Sequence, residues 1–364
     1  MKNLDSRRTF IKKLSTGVGV AAFAPFLSSF FIPNVQKKLG IALVGLGGYS
    51  RGQLAPALLE TQNCYLAGIV TGTPSKIPDW QARYNIPDKN CYNYENFDTI
   101  ASNPDIDIVY VVLPPSMHKE YTIRAAKAGK HVICEKPMAI SVEECEEMIA
   151  ACKKAKRMLS IGYRLHFEPH NQEMMRLGQQ QIYGKPQHID SFNGFRYGGD
   201  PNAWRLKKAY GGGPLMDMGV YSIQGMRYTT GQEPLYVTAK EEKSGNPLFS
   251  EVEETINWEF EFPGGLKATG ATSFTKSGGY LKVQAEKGVF ELQPAFSYRG
   301  IKGKTPAGEM NFPSVYQQAL QMDDFAQCVL QNKPSRVPGE MGLKDIKVVE
   351  AIFRSVKSGK REKV

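Results

Sequence analysis

The chain has 364 residues, 41% hydrophobic and 23% charged, a globular balance that excludes a disordered, collagen-like or multi-pass membrane protein. At about 150 residues per domain, this length points to two domains. The net charge of +10 is concentrated at the ends, in residues 1–36 and 357–364, so the body carries only +3 and lacks the basic stripe that a nucleic-acid footprint needs.

The first 36 residues read as a targeting segment rather than as fold. Ser6-Arg7-Arg8-Thr9-Phe10-Ile11-Lys12 precedes an uncharged stretch from residue 14 to 36. Paired arginines followed by Phe-Ile-Lys resemble a twin-arginine export signal, whose machinery carries proteins already folded. A periplasmic location is therefore expected. Membrane tethering through an uncleaved segment stays open, because Ala22-Phe23-Ala24 is followed by Pro25.

From residue 37 to 162, short apolar runs at 40–44, 65–70, 106–113, 131–134 and 158–161 alternate with helical patterns at 53–59, 80–84, 119–128 and 142–154. Runs without polar alternation suit strands covered on both faces. That predicts a doubly wound α/β domain with a parallel sheet. The first run ends in Gly45-Leu46-Gly47-Gly48-Tyr49-Ser50. Glycines at 45 and 47 allow a tight turn and a close backbone approach to a pyrophosphate at the following helix N-terminus. A Gly-rich turn is a weak signal by itself; its place between the first strand and the first helix strengthens it. After the second run, where an NAD enzyme usually carries a carboxylate, stand Thr71, Ser75 and Lys76. Hydroxyls and an ammonium suit a phosphate, which favours NADP; if Lys76 is only the solvated start of the next helix, NAD remains possible. Cys134-Glu135-Lys136-Pro137 follows the fifth run, and a lysine at the carboxyl end of a parallel strand points into the ligand crevice.

Residues 163–364 have a different texture. Helical patterns at 169–177, 215–228, 315–330 and 342–356 surround a Gly-rich stretch at 194–213 and strands at 236–240, 255–262, 266–274, 280–286 and 289–292. This predicts a second, α+β domain with a large, mostly antiparallel open sheet. Within Gly211-Gly212-Gly213-Pro214-Leu215-Met216-Asp217-Met218-Gly219-Val220-Tyr221, Asp217 and Tyr221 lie four apart and project from one helix face. A phenol beside a lysine and a carboxylate is a candidate proton donor and acceptor for an alcohol/carbonyl pair. The six cysteines show neither C-x-x-C nor metal-ligand spacing, so neither a metal nor a structural disulfide is expected.

Gly45-Leu46-Gly47, Glu135-Lys136-Pro137, Gly162-Tyr163-Arg164, Trp204-Arg205-Leu206, the 211–221 run and Arg336-Val337-Pro338-Gly339-Glu340 together resemble the Gfo/Idh/MocA oxidoreductase family. Tyr221, where most members have His, resembles its glucose–fructose branch. The resemblance implies a Rossmann domain, a cis Lys136–Pro137 bond and a homodimer or homotetramer built through the open sheet. It makes Lys136, Asp217 and Tyr221 the catalytic residues. Gly45, Leu46, Gly47, Gly48, Tyr49, Thr71, Ser75, Lys76, Pro114, Pro115, His118, Glu135, Lys136, Arg164, Trp204 and Arg205 become the residues that bind the cofactor. The implied reaction oxidises an aldose C1–OH to a lactone, with hydride passing to tightly bound NADP that a second sugar such as fructose reoxidises. That branch also carries a long arm after its signal, whereas here only about ten residues, 32–40, separate the apolar segment from the first strand. Two alternatives stand: an aldose dehydrogenase with exchangeable cofactor, and an NAD-dependent glycosidase using transient oxidation, for which His166 and His170 give faint support.

Overall fold

Six short runs form one parallel sheet in the computed structural model, which describes residues 37–364; the export segment predicted over 1–36 lies outside the described residues. The strands are β1 (Leu39–Val44), β2 (Cys64–Val70), β3 (Cys91–Tyr92), β4 (Ile108–Val111), β5 (His131–Cys134) and β6 (Leu159–Ile161), ordered β3-β2-β1-β4-β5-β6. β1 and β4 are buried along their whole length, as strands covered on both faces must be. Strand order reverses between β1 and β4, and ligands of such sheets bind outside the strand carboxyl ends at that point.

Helices α1 (Ala55–Leu58, entered through a wide turn at Ser50–Leu54), α2 (Ile77–Tyr84), α3 (His118–Lys127) and α4 (Val142–Lys154) connect the strands. Local chemistry sets their limits. Ser141 caps α4 by accepting the Glu144 N–H at 3.2 Å, and Glu144 returns to the Ile140 N–H at 3.3 Å.

The second sheet has nine strands: β7 (Pro186–Gly194), β8 (Tyr236–Glu242), β9 (Thr255–Glu261), β10 (Lys267–Ser273), β11 (Gly278–Ala285), β12 (Gly288–Leu292), β13 (Gly303–Thr305), β14 (Gly308–Met310) and β15 (Glu362–Lys363). Their order is β14-β13-β12-β11-β7-β10-β9-β8-β15, antiparallel throughout except between β7 and β10. The sheet is mostly antiparallel, as expected. β7, near its centre, escaped the sequence reading because two of its buried positions hold Ser191 and Asn193, which erases the hydrophobic alternation. Four helices complete this half: α5 (Pro169–Gln179), α6 (Val220–Thr230), α7 (Gln317–Gln331) and α8 (Gly339–Ser358). On the opposite face Asp190 accepts from Thr269 Oγ1 at 3.0 Å and from the Tyr280 hydroxyl at 2.9 Å, half-buried.

α7 does not stay with the second sheet. Its Ala319, Met322, Phe325 and Ala326 share one core with Ile41, Leu43 and Leu54 of the first. A buried polar cluster joins α6 to α8: Arg227 pairs with Asp345, which also accepts from Tyr163 and, at 2.8 Å, from Gln224.

Candidate active site

The turn after β1 is built by backbone demands. Gly45 has φ +96°, and a Cβ there would run into the Val112 carbonyl. Gly47 and Gly48 have open space above them on the cleft side. At the third fingerprint position the buried Ser50 hydroxyl donates to the Gly45 carbonyl at 2.5 Å, closing the turn. The first N–H groups of the following helix have no intrahelical partner, so the turn is shaped to receive a pyrophosphate.

That turn forms one wall of a cleft of about 900 Å³, at the upper end of the usual range for ligand pockets. Every predicted site residue lines it except Ser75 and His118. Ser75 sits in the short Pro74–Lys76 turn and faces solvent, while Thr73 takes a place on the cleft wall. His118 opens α3 with its ring buried between the Pro137 carbonyl (2.9 Å) and the Leu113 carbonyl (2.8 Å). Burial holds its pKa below the ordinary value, and a neutral imidazole donates to one of these carbonyls only. Its place is behind the cleft, tying the β4 and β5 loops together.

At the other end of the cleft, β5 delivers Lys136, whose bond to Pro137 is cis. Lys136 Nζ donates to the Asp217 backbone carbonyl at 2.6 Å and lies 3.4 Å from Asp217 Oδ1; Arg205 Nε donates to Oδ2 at 2.7 Å. Both carboxylate oxygens are thus engaged by cations. Asp217 orients Lys136 and Arg205. Burial works against its charge, but Lys136 and Arg205 outweigh burial and hold its pKa below the ordinary value. Burial likewise opposes the Lys136 ammonium, yet Tyr221, Asp217 and Glu135 together keep its pKa above normal. These neighbours favour the Lys136 ammonium. It stands 4.7 Å from the centre of the Tyr221 ring, and the Arg164 guanidinium lies 5.1 Å away.

Glu135 lines the cleft, but its carboxyl is already engaged. Its carboxyl accepts the Tyr110 hydroxyl at 2.6 Å, Gln321 donates to that hydroxyl at 2.8 Å, and burial pushes the Glu135 pKa up. Gly162 leaves the room this carboxyl needs. Arg164 is equally committed, donating to the Phe296 carbonyl at 2.6 Å and the Ser297 carbonyl at 3.2 Å. Lys76 donates to the Leu46 carbonyl at 3.1 Å, which brings its ammonium beside the glycine turn.

Sequence reasoning missed several wall residues: Thr73, Tyr94, Phe195, Tyr197, Met218 and Tyr298. All but Met218, which sits in the helical segment beside Asp217, lie in turns, loops or strand exits without periodicity; only the glycines around Tyr197 hinted at a binding segment. It also missed Glu253, whose carboxyl accepts the Leu215 N–H at 3.0 Å at the start of the helical segment that carries Asp217 and Tyr221. Gly213 (φ +103°) lies against that carboxyl, and burial pushes the Glu253 pKa up to about 7. His166 and His170 do not line the cleft. His170 bonds Glu168 at 2.8 Å, and His166 is half-buried, its pKa lowered to about 4 by desolvation and Arg336.

Comparison with known proteins agrees with this architecture. The model for the oxidoreductase family with NAD-binding Rossmann fold matches residues 39–163, and the GFO/IDH/MocA C-terminal domain matches 171–301. The crystal structure of an aldose–aldose oxidoreductase from Caulobacter crescentus, complexed with glycerol, is 42% identical, with a TM-score of 0.86 over 90% of this chain and 100% of that one. A D-xylose 1-dehydrogenase [NADP(+)] of Haloarcula marismortui is 25% identical over 86% of this chain and 90% of its own length. Apo scyllo-inositol dehydrogenase from Lactobacillus casei, 21% identical with a TM-score of 0.75 over 90% of this chain and 99% of its own, shares the fold. With both of its domains matched in order, the chain belongs to the Gfo/Idh/MocA oxidoreductase family.

Proposed function

We propose that this protein is an exported sugar oxidoreductase that oxidises an aldose at C1–OH to the lactone, using tightly bound NADP that a second sugar reoxidises. The observation that carries the reading is the Lys136–Asp217–Arg205 cluster beside Tyr221, in the same cleft as the glycine turn. The dinucleotide would lie along Gly45–Tyr49 with its nicotinamide toward Pro114, Pro115 and Lys136; when bound, it supplies the hydride acceptor.

The protein residues manage charge and protons. Tyr221, as the phenolate, takes the proton of the sugar C1 hydroxyl as that carbon is oxidised, and the resulting phenol returns it when a carbonyl is reduced. Lys136 stabilises the negative charge that develops on the substrate oxygen, and its ion pair with Asp217 fixes it in place beforehand. Arg205, held by Asp217, and the aromatic wall of Phe195, Tyr197 and Trp204 shape the pocket. For the choice of phosphate, the only carboxylates on the cleft wall among the described residues are Glu135 and Asp217, both at the Lys136 end, whereas Thr71, Thr73 and Lys76 line the end after β2. That arrangement favours a 2′-phosphate.

The paired arginines at residues 7 and 8 support export, and the polar open face of the second sheet suits a homodimer or homotetramer. Two measurements test the reading. Denaturing the purified protein should release NADP(H). Glucose with fructose, and no added coenzyme, should yield lactone and sorbitol. Lactone formation only when NADP is added makes the protein an aldose dehydrogenase with exchangeable cofactor; no sugar oxidation under either condition refutes the proposal.

A further inference from the structure

Beside the Lys136–Asp217 pair, the two walls of the cleft also meet through aromatic rings. Tyr49, on the glycine turn of the first sheet, stacks on Tyr298, on the loop between β12 and β13 of the second, with ring centres 5.9 Å apart and planes 29° from parallel. Both rings line the cleft. Tyr298 is no loose tip. Gln317 Nε2 donates to the Ser297 and Tyr298 carbonyls, each at 3.1 Å, Arg164 binds the carbonyls of Phe296 and Ser297, and the Arg164 guanidinium lies 4.4 Å from the Tyr298 ring centre. Yet 41% of Tyr298 remains exposed, so the loop is fixed while the side chain still reaches solvent. The same segment has a second tie, the Tyr316 hydroxyl reaching the Gln53 carbonyl at 3.4 Å on the helix that follows the glycine turn.

We propose that the Tyr49–Tyr298 stack is a clasp across the coenzyme channel that must part before a dinucleotide leaves the glycine turn. This rests on the reading of the cleft as a dinucleotide site and deepens it by assigning the slow release to two residues. Aromatic pairs of this geometry attract beyond their buried area. Because Arg164 and Gln317 hold one partner in place, parting the rings costs that attraction without a compensating loop movement. The clasp would supply from the body of the fold the retention that a closed two-sugar cycle requires.

The test is the dissociation rate of NADPH, followed by fluorescence after a chase of excess NADP, in wild type, Y298A, Y49A, the double variant and Y298F. Y298A and Y49A should each release NADPH about tenfold faster, a change of about 1.4 kcal/mol. The double variant should be little faster than either single, since each already removes the pair, and Y298F should stay within twofold of wild type. Y49A leaves the Arg164 contact to Tyr298 untouched and so separates the clasp from damage to that loop. Both alanine variants within twofold of wild type, or acceleration in Y298A alone, overturn the clasp. A wild type that binds no NADPH overturns it together with the cofactor reading. Protein that oxidises no sugar but responds as expected refutes the sugar reading and leaves the clasp standing.

Discussion

Glu253→Gln isolates the buried carboxyl at the head of the catalytic helix. Its partner is the Leu215 N–H at 3.0 Å, which an amide oxygen can keep. Burial raises the pKa from an ordinary 4.5 to about 7, with Glu241 adding and Lys208 opposing. The sign follows from proton counting. Below pH 4.5 the group is neutral in folded and unfolded chains and contributes nothing. Between 4.5 and 7 the unfolded chain ionises while the folded one keeps its proton, so stability falls as pH rises; above 7 the penalty is constant. At about 1.4 kcal/mol per pKa unit, the full penalty is about 3 kcal/mol. Glu253→Gln should therefore gain about 3 kcal/mol over wild type on going from pH 4 to pH 8.5, and most of that span lies between pH 5 and 7. Urea unfolding of both proteins across this range measures it. A difference between the two proteins that stays flat with pH, or that grows as pH falls, refutes the assignment.

Four further outcomes follow from the site. Tyr221→Phe should lower kcat by about 10²–10⁴-fold, the usual span for a lost acid/base, while NADPH titration by fluorescence stays at the wild-type affinity. Lys136→Met removes the cation that faces developing charge and should lower kcat at least about 10²-fold, read in steady-state kinetics with the leading sugar. Lys76→Ala should weaken NADPH by about tenfold or more and leave NADH nearly unchanged, since a hydrogen bond to a charged group contributes about 1.5–3 kcal/mol; calorimetric titration of both nucleotides decides this. Asp345→Ala leaves the buried Arg227 with its Glu233 pair but removes the acceptor of Tyr163 and Gln224, and should cost about 1–3 kcal/mol, seen as a lower urea midpoint.

Much of this was legible because it rests on local chemistry. The turn at Gly45 needs positive φ, Lys136 ends a strand, and Asp217 and Tyr221 are one helical turn apart; each of these is a short-range statement that composition and spacing carry. The remainder depends on partners far apart in sequence. Glu253 meets Leu215 from 38 residues away. Tyr298 meets Tyr49 only because Arg164 and Gln317 fix the intervening loop. β7 conceals itself by burying Ser191 and Asn193 against its neighbours and α6. The family resemblance made His118 a cofactor residue, but two carbonyls claim its ring.

The return of α7 to the first sheet bears on how this family can be recombined. Its apolar face completes the core around Ile41 and Leu43, while Gln317 on the same helix steadies the opposite wall of the cleft. A chimera spliced at residue 163 would pair one parent's nucleotide sheet with the other parent's α7, leaving a mismatched core where the two meet, while the contact of Gln317 with residues 297 and 298 stays within one parent. Grafting the nucleotide half as a working module requires residues 317–331 to travel with it.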